Sequence, residues 1–374
     1  MLKIAVDAMG GDRAPGAVVE GALLAAGDLG VEVLLVGEKE MVEQALARCS
    51  PKSPRLEVVP ASESVAMDES PSAALRKKDS SMKVAFELMK RGAVQAVVSA
   101  GNSGAMMATG MFVMGNLPQV DRPAILVVIP TLGKGTVIID AGANVDCKPR
   151  HLVQFGLMGS IYAERVLGIP RPRVGVLSNG EEEGKGTDLT RAASEQLAST
   201  GLNYIGYVEG RDICGGEVDV VVCDGFTGNI TLKTMEGLAS FIVGVLKDAF
   251  QQSLMSRLGY LLSRESLLRA YSRLDHAEYG GAPLMGLEGV AIIAHGGSDP
   301  KAIKNAIRVA KEAVSHDVNR HITEVLGELG ETGAEQEDKL PRRIWQRIKS
   351  KIESLGEKSA PEGEGRESKS GGKG

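Results

Sequence analysis

Six polar, glycine-bearing segments recur along the chain: Asp7-Ala-Met-Gly-Gly-Asp12, Ser99-Ala-Gly-Asn-Ser-Gly104, Asp140-Ala-Gly-Ala-Asn144, Ser178-Asn-Gly180 through Thr187, Asp224-Gly-Phe-Thr-Gly-Asn229 and His295-Gly-Gly-Ser-Asp299. Glycine lets consecutive backbone N–H groups face one anion, and a helix that follows adds partial positive charge at its N-terminus. The chemistry this suits is the binding of a phosphate. In the second segment Ser99, Gly101, Asn102, Ser103 and Gly104 precede a helix expected from about Ala105, although alone the segment reads equally well as a tight turn.

Lys185 is the only base in the acidic 178–187 segment, with glycine on both sides. A lysine so placed suits a phosphoryl oxygen or the oxyanion that develops on a thioester. The competing reading is a solvated lysine paired with Glu182 or Glu183. Asn229 is expected to open a helix, where it serves as N-cap or donates its amide to an anion, two uses that are compatible. Ser298 and Asp299 are expected to cap a helix from Pro300. His295 stands alone, and a lone histidine is more often structural than catalytic. Asp7, Asp12 and Asp140 resemble metal or base positions but lack the clustered spacing of a metal site, so no metal is required. The sequence has no GxSxG elbow, no GxxxxGK[ST] loop and no clear Cys–His pairing. A covalent acyl-enzyme and ATP hydrolysis are therefore unsupported, and direct attack by a bound nucleophile is the simpler chemistry.

The elements that must position these residues are legible as short Val- and Ile-rich runs alternating with helical patterns: Ile4–Val6, Val33–Val36, Leu56–Val59, Ala96–Val98, Ile125–Ile129, Val137–Ile139, Val174–Leu177, Val218–Val222 and Val290–Ile293. Strands apolar on both faces argue a mostly parallel sheet covered by helices, an α/β class in which ligands sit beyond the carboxyl ends of strands. Six loops at equivalent strand ends are expected to converge on one cleft. Residues 230–275 break the alternation as a long helical excursion in which Leu254, Leu258, Leu261, Leu262, Leu268 and Tyr271 recur among Arg257, Arg264, Arg269 and Arg273. From about residue 331 the chain loses apolar content. A basic amphipathic helix is expected over 339–355, with Trp345 suited to a headgroup region and the apolar edge alternatively packing on its own fold, and a disordered end over 359–374.

The chain has 374 residues, 47 of them glycine, only 3% aromatics and a formal net charge of −5, which leaves no basic field for nucleic acid. Cys49, Cys147, Cys214 and Cys223 show no zinc spacing and read as free thiols. No signal-peptide pattern opens the sequence and no window is apolar enough to span a bilayer, so a cytoplasmic location is expected.

Taken together the loops resemble those of the phosphate acyltransferases of bacterial phospholipid synthesis, the PlsX family. The resemblance rests on Ile4–Asp12 with Ala14-Pro15, Val98–Ala105, Leu177–Gly180 with Gly184–Thr187, Cys223–Asn229, Tyr279–Gly286 and Ala294–Ser298, in the family's order from residue 2 to about 325. It implies a Rossmann-like α/β/α sandwich of the isopropylmalate dehydrogenase and phosphotransacetylase type, with a protruding helical hairpin. It also implies a catalytic unit over 1–330 with the hairpin at about 230–275, followed by the 331–374 tail. The implied reaction moves a long acyl chain from acyl-acyl carrier protein to inorganic phosphate without a cofactor. Implied partners are acyl carrier protein, a second copy in a homodimer, the inner membrane surface and a downstream glycerol-3-phosphate acyltransferase. Lys185 and Asn229 carry over as catalytic positions; Ser99, Gly101, Asn102, Ser103, Gly104, Asn179 and His295 as acyl-phosphate-binding ones; Leu254, Leu258, Leu261, Leu262, Leu267 and Leu268 as membrane contacts. Rival readings are a phosphotransacylase of short acyl-coenzyme A, a dehydrogenase on the related fold and a noncatalytic membrane-surface scaffold.

Overall fold

The computed structural model describes residues 1–49, 55–131, 133–182, 184–274 and 280–333. The expected tail elements over 339–355 and 359–374 lie outside the described residues. Eleven strands form one sheet: β1 Lys3–Asp7, β2 Glu32–Gly37, β3 Leu56–Pro60, β4 Ala96–Ser99, β5 Ala124–Ile129, β6 Thr136–Ile139, β7 Arg173–Leu177, β8 Asn203–Val208, β9 Val220–Val222, β10 Ala282–Met285 and β11 Val290–Ile293. Their order is β3-β2-β1-β4-β11-β10-β5-β6-β9-β7-β8. Each of the nine runs expected from sequence is a strand. The two missed strands carry breakers: β8 has a positive-φ glycine, Gly206, and β10 contains Pro283.

Alternation along the strands explains why both faces are covered. Ile4 and Val6 of β1 enter one apolar cluster with Val18, Ala22, Ile303 and Ile307, whereas Ala5 enters another with Phe86 and Met106 on the opposite face. The helices are α1 Gly16–Asp28, α2 Lys39–Ala47, α3 Pro71–Ala74, α4 Ser81–Lys90, α5 Ser103–Val113, α6 Pro149–Arg165, α7 Asp188–Ala198, α8 Gly225–Gln251, α9 Leu254–Leu274, α10 Pro300–Ser315 and α11 Val318–Gly333. Helices α1 and α10 cover β1, β4 and β11 on one face, and α6, α7 and α11 continue that layer over β6, β9 and β7. The opposite face carries α4, α5 and the start of α8, where Leu232 packs against the clusters of both halves. The α/β/α sandwich follows.

The expectation of equivalent strand ends needs correction. Strands β1, β2, β3, β4 and β11 are mutually parallel, and so are β6, β7, β8 and β9. Between the two groups lie three antiparallel pairings, β11 with β10, β10 with β5 and β5 with β6. Three reversals set the two groups in opposite senses, so the loops of β1, β4 and β11 leave one edge of the sheet and those of β6, β7 and β9 the other. Twist partly offsets this: at about 20–25° per strand, the steps from β4 to β9 accumulate roughly 100–125°, so the two groups do not point back to back. Nonlocal pairing of this kind leaves no trace in a local pattern.

Candidate active site

Contacts gather five of the six loops into two clusters, and the sixth, after β7, leaves the same edge of the sheet as the second. In the first, the Ser99 hydroxyl donates to Asp7 Oδ2 at 2.7 Å and accepts from the Gly101 N–H at 3.0 Å. The Asn102 amide donates to the carbonyls of Met67 and Glu69 at 2.8 and 3.0 Å, and its Oδ1 caps α5 by accepting from the Ala105 N–H at 2.9 Å. Asp12 N–H donates to the Gly296 carbonyl at 2.8 Å, which ties the loop after β1 to the loop after β11. Gly11 has φ +99° where it crosses Ala100 and Gly296. The polar groups of Ser99, Gly101 and Asn102 are thus committed inside the loop. What faces outward in the first turn of α5 is the backbone of Ser103 and Gly104 with the Ser103 hydroxyl, both residues being exposed. His295 is exposed, and its Nδ1 accepts from the Gly297 N–H at 3.1 Å. Asp299 caps α10 by accepting from Ala302 N–H at 2.8 Å, as expected, whereas Ser298, expected to share that role, does not cap it.

The second cluster is built on Asp140. Its carboxylate is fully buried and accepts five hydrogen bonds, from the N–H groups of Ile125, Gly142, Ala143 and Asn144 and from the Asn144 amide, at 2.7–3.0 Å. Burial pushes its pKa up against those bonds, and the carboxylate has no donor site left for a metal or a substrate proton. Asp140 is a structural anchor rather than a base. Gly225 N–H donates to the Asn144 carbonyl at 2.7 Å, which seats the start of α8 on the same loop. The cap of α8 is Asp224, accepting from Thr227 N–H at 2.9 Å, so Asn229 is not the N-cap that the sequence suggested. It sits in the second turn, exposed, against Gly142, where an added Cβ would stand 3.5 Å from Asn229 Oδ1.

In the neighbouring loop after β7, Asn179 Oδ1 accepts from Gly186 N–H at 2.9 Å and closes the turn that presents Lys185. The Lys185 stem crosses Gly180, where an added Cβ would lie 2.9 Å from Lys185 Cγ. Among the described residues its ammonium pairs with no carboxylate, and Glu182 is held instead through its carbonyl by the Lys185 N–H at 2.9 Å. An exposed ammonium without a carboxylate partner among the described residues suits an incoming anion. Helices α5 and α8 stand on the same face of the sheet, on either side of β10 and β5, and Ala282 and Val127 on that strip are only partly buried. Among the described residues no three His, Cys, Asp or Glu side chains are grouped as a metal site.

The fold is that of the phosphotransacylases: a phosphotransacetylase from Streptococcus pyogenes matches with TM-score 0.54 at 16% identity over 84% of this chain and 94% of its own. A branched-chain phosphotransacylase from Enterococcus faecalis V583 matches with TM-score 0.51 at 12% identity over 84% and 100%. At sequence level the family model described as fatty acid synthesis protein covers residues 2–321. A phosphate acyltransferase of Geotalea uraniireducens (strain Rf4) is 56% identical over 328 residues, 87% of this chain and 95% of that protein. One from Syntrophotalea carbinolica (strain DSM 2380 / NBRC 103641 / GraBd1) is 51% identical over 341 residues, 91% and 97%. The chain belongs to this family of fatty acid synthesis proteins, the phosphate acyltransferases, as its loops implied, and it is an acyltransferase.

Proposed function

We propose that the chain transfers a long acyl group from acyl-acyl carrier protein to inorganic phosphate, releasing acyl phosphate and free carrier protein. The observation that carries this is identity above 50% to phosphate acyltransferases over nearly nine-tenths of the chain. Phosphate oxygen attacks the thioester carbonyl, a C–O bond forms, the C–S bond breaks and the carrier thiolate leaves. Lys185, exposed on its glycine turn, balances the charge of phosphate or oxyanion, and Asn229 donates a hydrogen bond to it. Ser103 and Gly104 hold phosphate directly; Ser99, Gly101, Asn102 and Asn179 shape the turns, and His295 forms a wall. Residues 1–330 act as the catalytic unit.

The same reading extends to partners. Leu238, Phe241, Ile242 and Val245 recur at helical spacing on α8 and are 43–67% exposed, which supports packing against a second copy. On α9, Leu254, Leu258, Leu261 and Leu262 are 51–84% exposed, while Ser256, Ser263 and Leu267 on the reverse side are partly buried. At 100° per residue these are opposite faces, and Arg257, Arg264 and Arg269 flank the leucines, a pattern suited to an anionic lipid surface at the inner face of the membrane. Leu267 therefore faces inward rather than toward lipid, and the Leu268 side chain lies outside the described residues. No described helix is long and apolar enough to cross a membrane. The acyl phosphate product is then at the surface where a glycerol-3-phosphate acyltransferase can consume it.

The deciding experiment is phosphate-dependent release of carrier thiol from palmitoyl-acyl carrier protein, with the product trapped by hydroxylamine and palmitoyl-coenzyme A run in parallel. Release from the carrier-linked donor with a trapped acyl hydroxamate is expected. Release from coenzyme A alone, or none that depends on phosphate, would overturn the reading.

A further inference from the structure

We infer that Asp7 is a positioning residue for the phosphate loop, acting through Ser99 on the Gly101 peptide. The inference rests on the phosphate reading above, and it assigns a task to a carboxylate that the proposed transfer does not itself use. Asp7 is 2% exposed and Ser99 1% exposed, so neither reaches a substrate. The chain of contacts has one direction. Met9 N–H donates to Asp7 Oδ1 at 3.2 Å, Ser99 donates its only hydroxyl proton to Asp7 Oδ2 at 2.7 Å, and the lone pairs left on Ser99 Oγ accept from Gly101 N–H at 3.0 Å. A hydroxyl is a rotor, and without a fixed acceptor it has no reason to offer a lone pair to Gly101. Asp7 supplies that acceptor. With the Gly101 peptide pinned, the turn that follows enters α5 with its Ser103 and Gly104 N–H groups outward.

The packing agrees with this. A Cβ added to Gly10 would meet Asp7 Oδ2 and Gly101 N at 2.7 Å each and Ser99 Oγ at 2.9 Å, so all three partners close on one point with only a glycine between them. Ser81 at the start of α4, itself 1% exposed, also faces the Asp7 carboxyl. Burial raises the Asp7 pKa, and the bonds from the Ser99 hydroxyl and the Met9 backbone oppose it.

The test is steady-state kinetics on the full chain with phosphate and palmitoyl-acyl carrier protein varied separately, for Asp7→Asn, Ser99→Ala and the double variant. Asparagine keeps the shape; with its Oδ1 accepting from Met9 N–H it turns an NH2 donor toward Ser99 Oγ and removes that hydroxyl's acceptor. The expected result is a phosphate KM raised at least threefold in each single variant, with the KM for the acyl donor and kcat changed less than twofold. In the double variant the phosphate KM should match that of Ser99→Ala alone, because the path from Asp7 to the Gly101 peptide runs through that hydroxyl. A phosphate KM raised less than threefold in Asp7→Asn, equal losses in both substrates, or effects that multiply in the double variant would overturn the inference. If Asp7→Asn does not fold, Asp7→Ser replaces it and carries the same expectation, since its short side chain takes the carboxylate acceptor away from the Ser99 hydroxyl. Activity of the wild-type chain in the same assay separates failure of this inference from failure of the phosphate reading.

Discussion

Lys185 and Gly228 show what a single residue can be asked to do. Lys185 is exposed between two glycines, and among the described residues its ammonium has no carboxylate partner. Lys185→Ala is expected to lower turnover about 100-fold, the scale of one lost electrostatic donor, with the thermal midpoint unchanged. Full turnover in the thiol-release assay would remove it from the mechanism. Gly228 is the opposite case: an added Cβ would lie 1.9 Å from the Asp140 carbonyl oxygen, a backbone atom that cannot swing away. Gly228→Ala should therefore unseat the start of α8 and with it Asn229, read as loss of both activity and cooperative melting. Gly27 inside α1 has nothing within 4 Å of its missing Cβ, and Gly27→Ala should stabilise by about 0.4–1 kcal/mol in a denaturant titration. Both residues are glycines in helices, and nothing local in the sequence distinguishes them; the distinction is made by a loop some 88 positions away in the chain, through the Asp140 backbone.

At the scale of elements, the entry into β7 is held to the entry into β9 by Arg173 and Asp219. The guanidinium Nε and the Arg173 N–H both donate to Asp219 Oδ2, at 2.9 and 2.8 Å, and Nη2 donates to Oδ1 at 3.0 Å. Burial would raise the Asp219 pKa, but the Arg173 bonds outweigh it and hold the carboxyl below its usual range. A carboxyl depressed on folding contributes stability above its unfolded pKa and loses it as pH falls through the folded value. Asp219→Asn should cost about 1–2 kcal/mol at neutral pH, discounted for the partial exposure of Arg173, and the difference from wild type should shrink below about pH 4. Urea titrations at pH 7 and pH 3 check the sign. Helix α9 makes a different prediction. The periodicity of its leucines was legible in the sequence, yet which side packs on α8 was decided by Ser256, Ser263 and Leu267. Leu261→Glu with Leu262→Glu changes the outward face only, so co-sedimentation with anionic liposomes should fall at least fivefold while far-ultraviolet circular dichroism and turnover on soluble donor persist. Unchanged sedimentation would exclude α9 as the lipid contact.

For the whole molecule, one continuous sheet joins both loop clusters, and its last strand, β11, ends at Ile293 with α10 and α11 completing the layers by Gly333. The family match likewise ends at residue 321. Deleting residues 334–374 is expected to leave turnover within twofold and the melting midpoint within about 2 °C; a larger loss would give the tail a part in the catalytic fold. By itself the sequence determined the α/β class, nine of the strands, the six glycine loops, the acyltransferase family and the leucine periodicity of the hairpin, because each is written in local composition, in period or in loops matched one by one. It did not determine the direction in which distant strands pair. Three antiparallel pairings between β11 and β6 split the loops into two groups, which no window of sequence records because hydrogen-bonded partners are chosen across the sheet. Nor did it separate Ser99, Gly101 and Asn102, whose polar groups are consumed inside the turn, from Ser103 and Gly104, whose groups face out. A hydrogen-bond donor looks the same in sequence whether it is spent or available, and only the tertiary structure supplies the acceptor that decides.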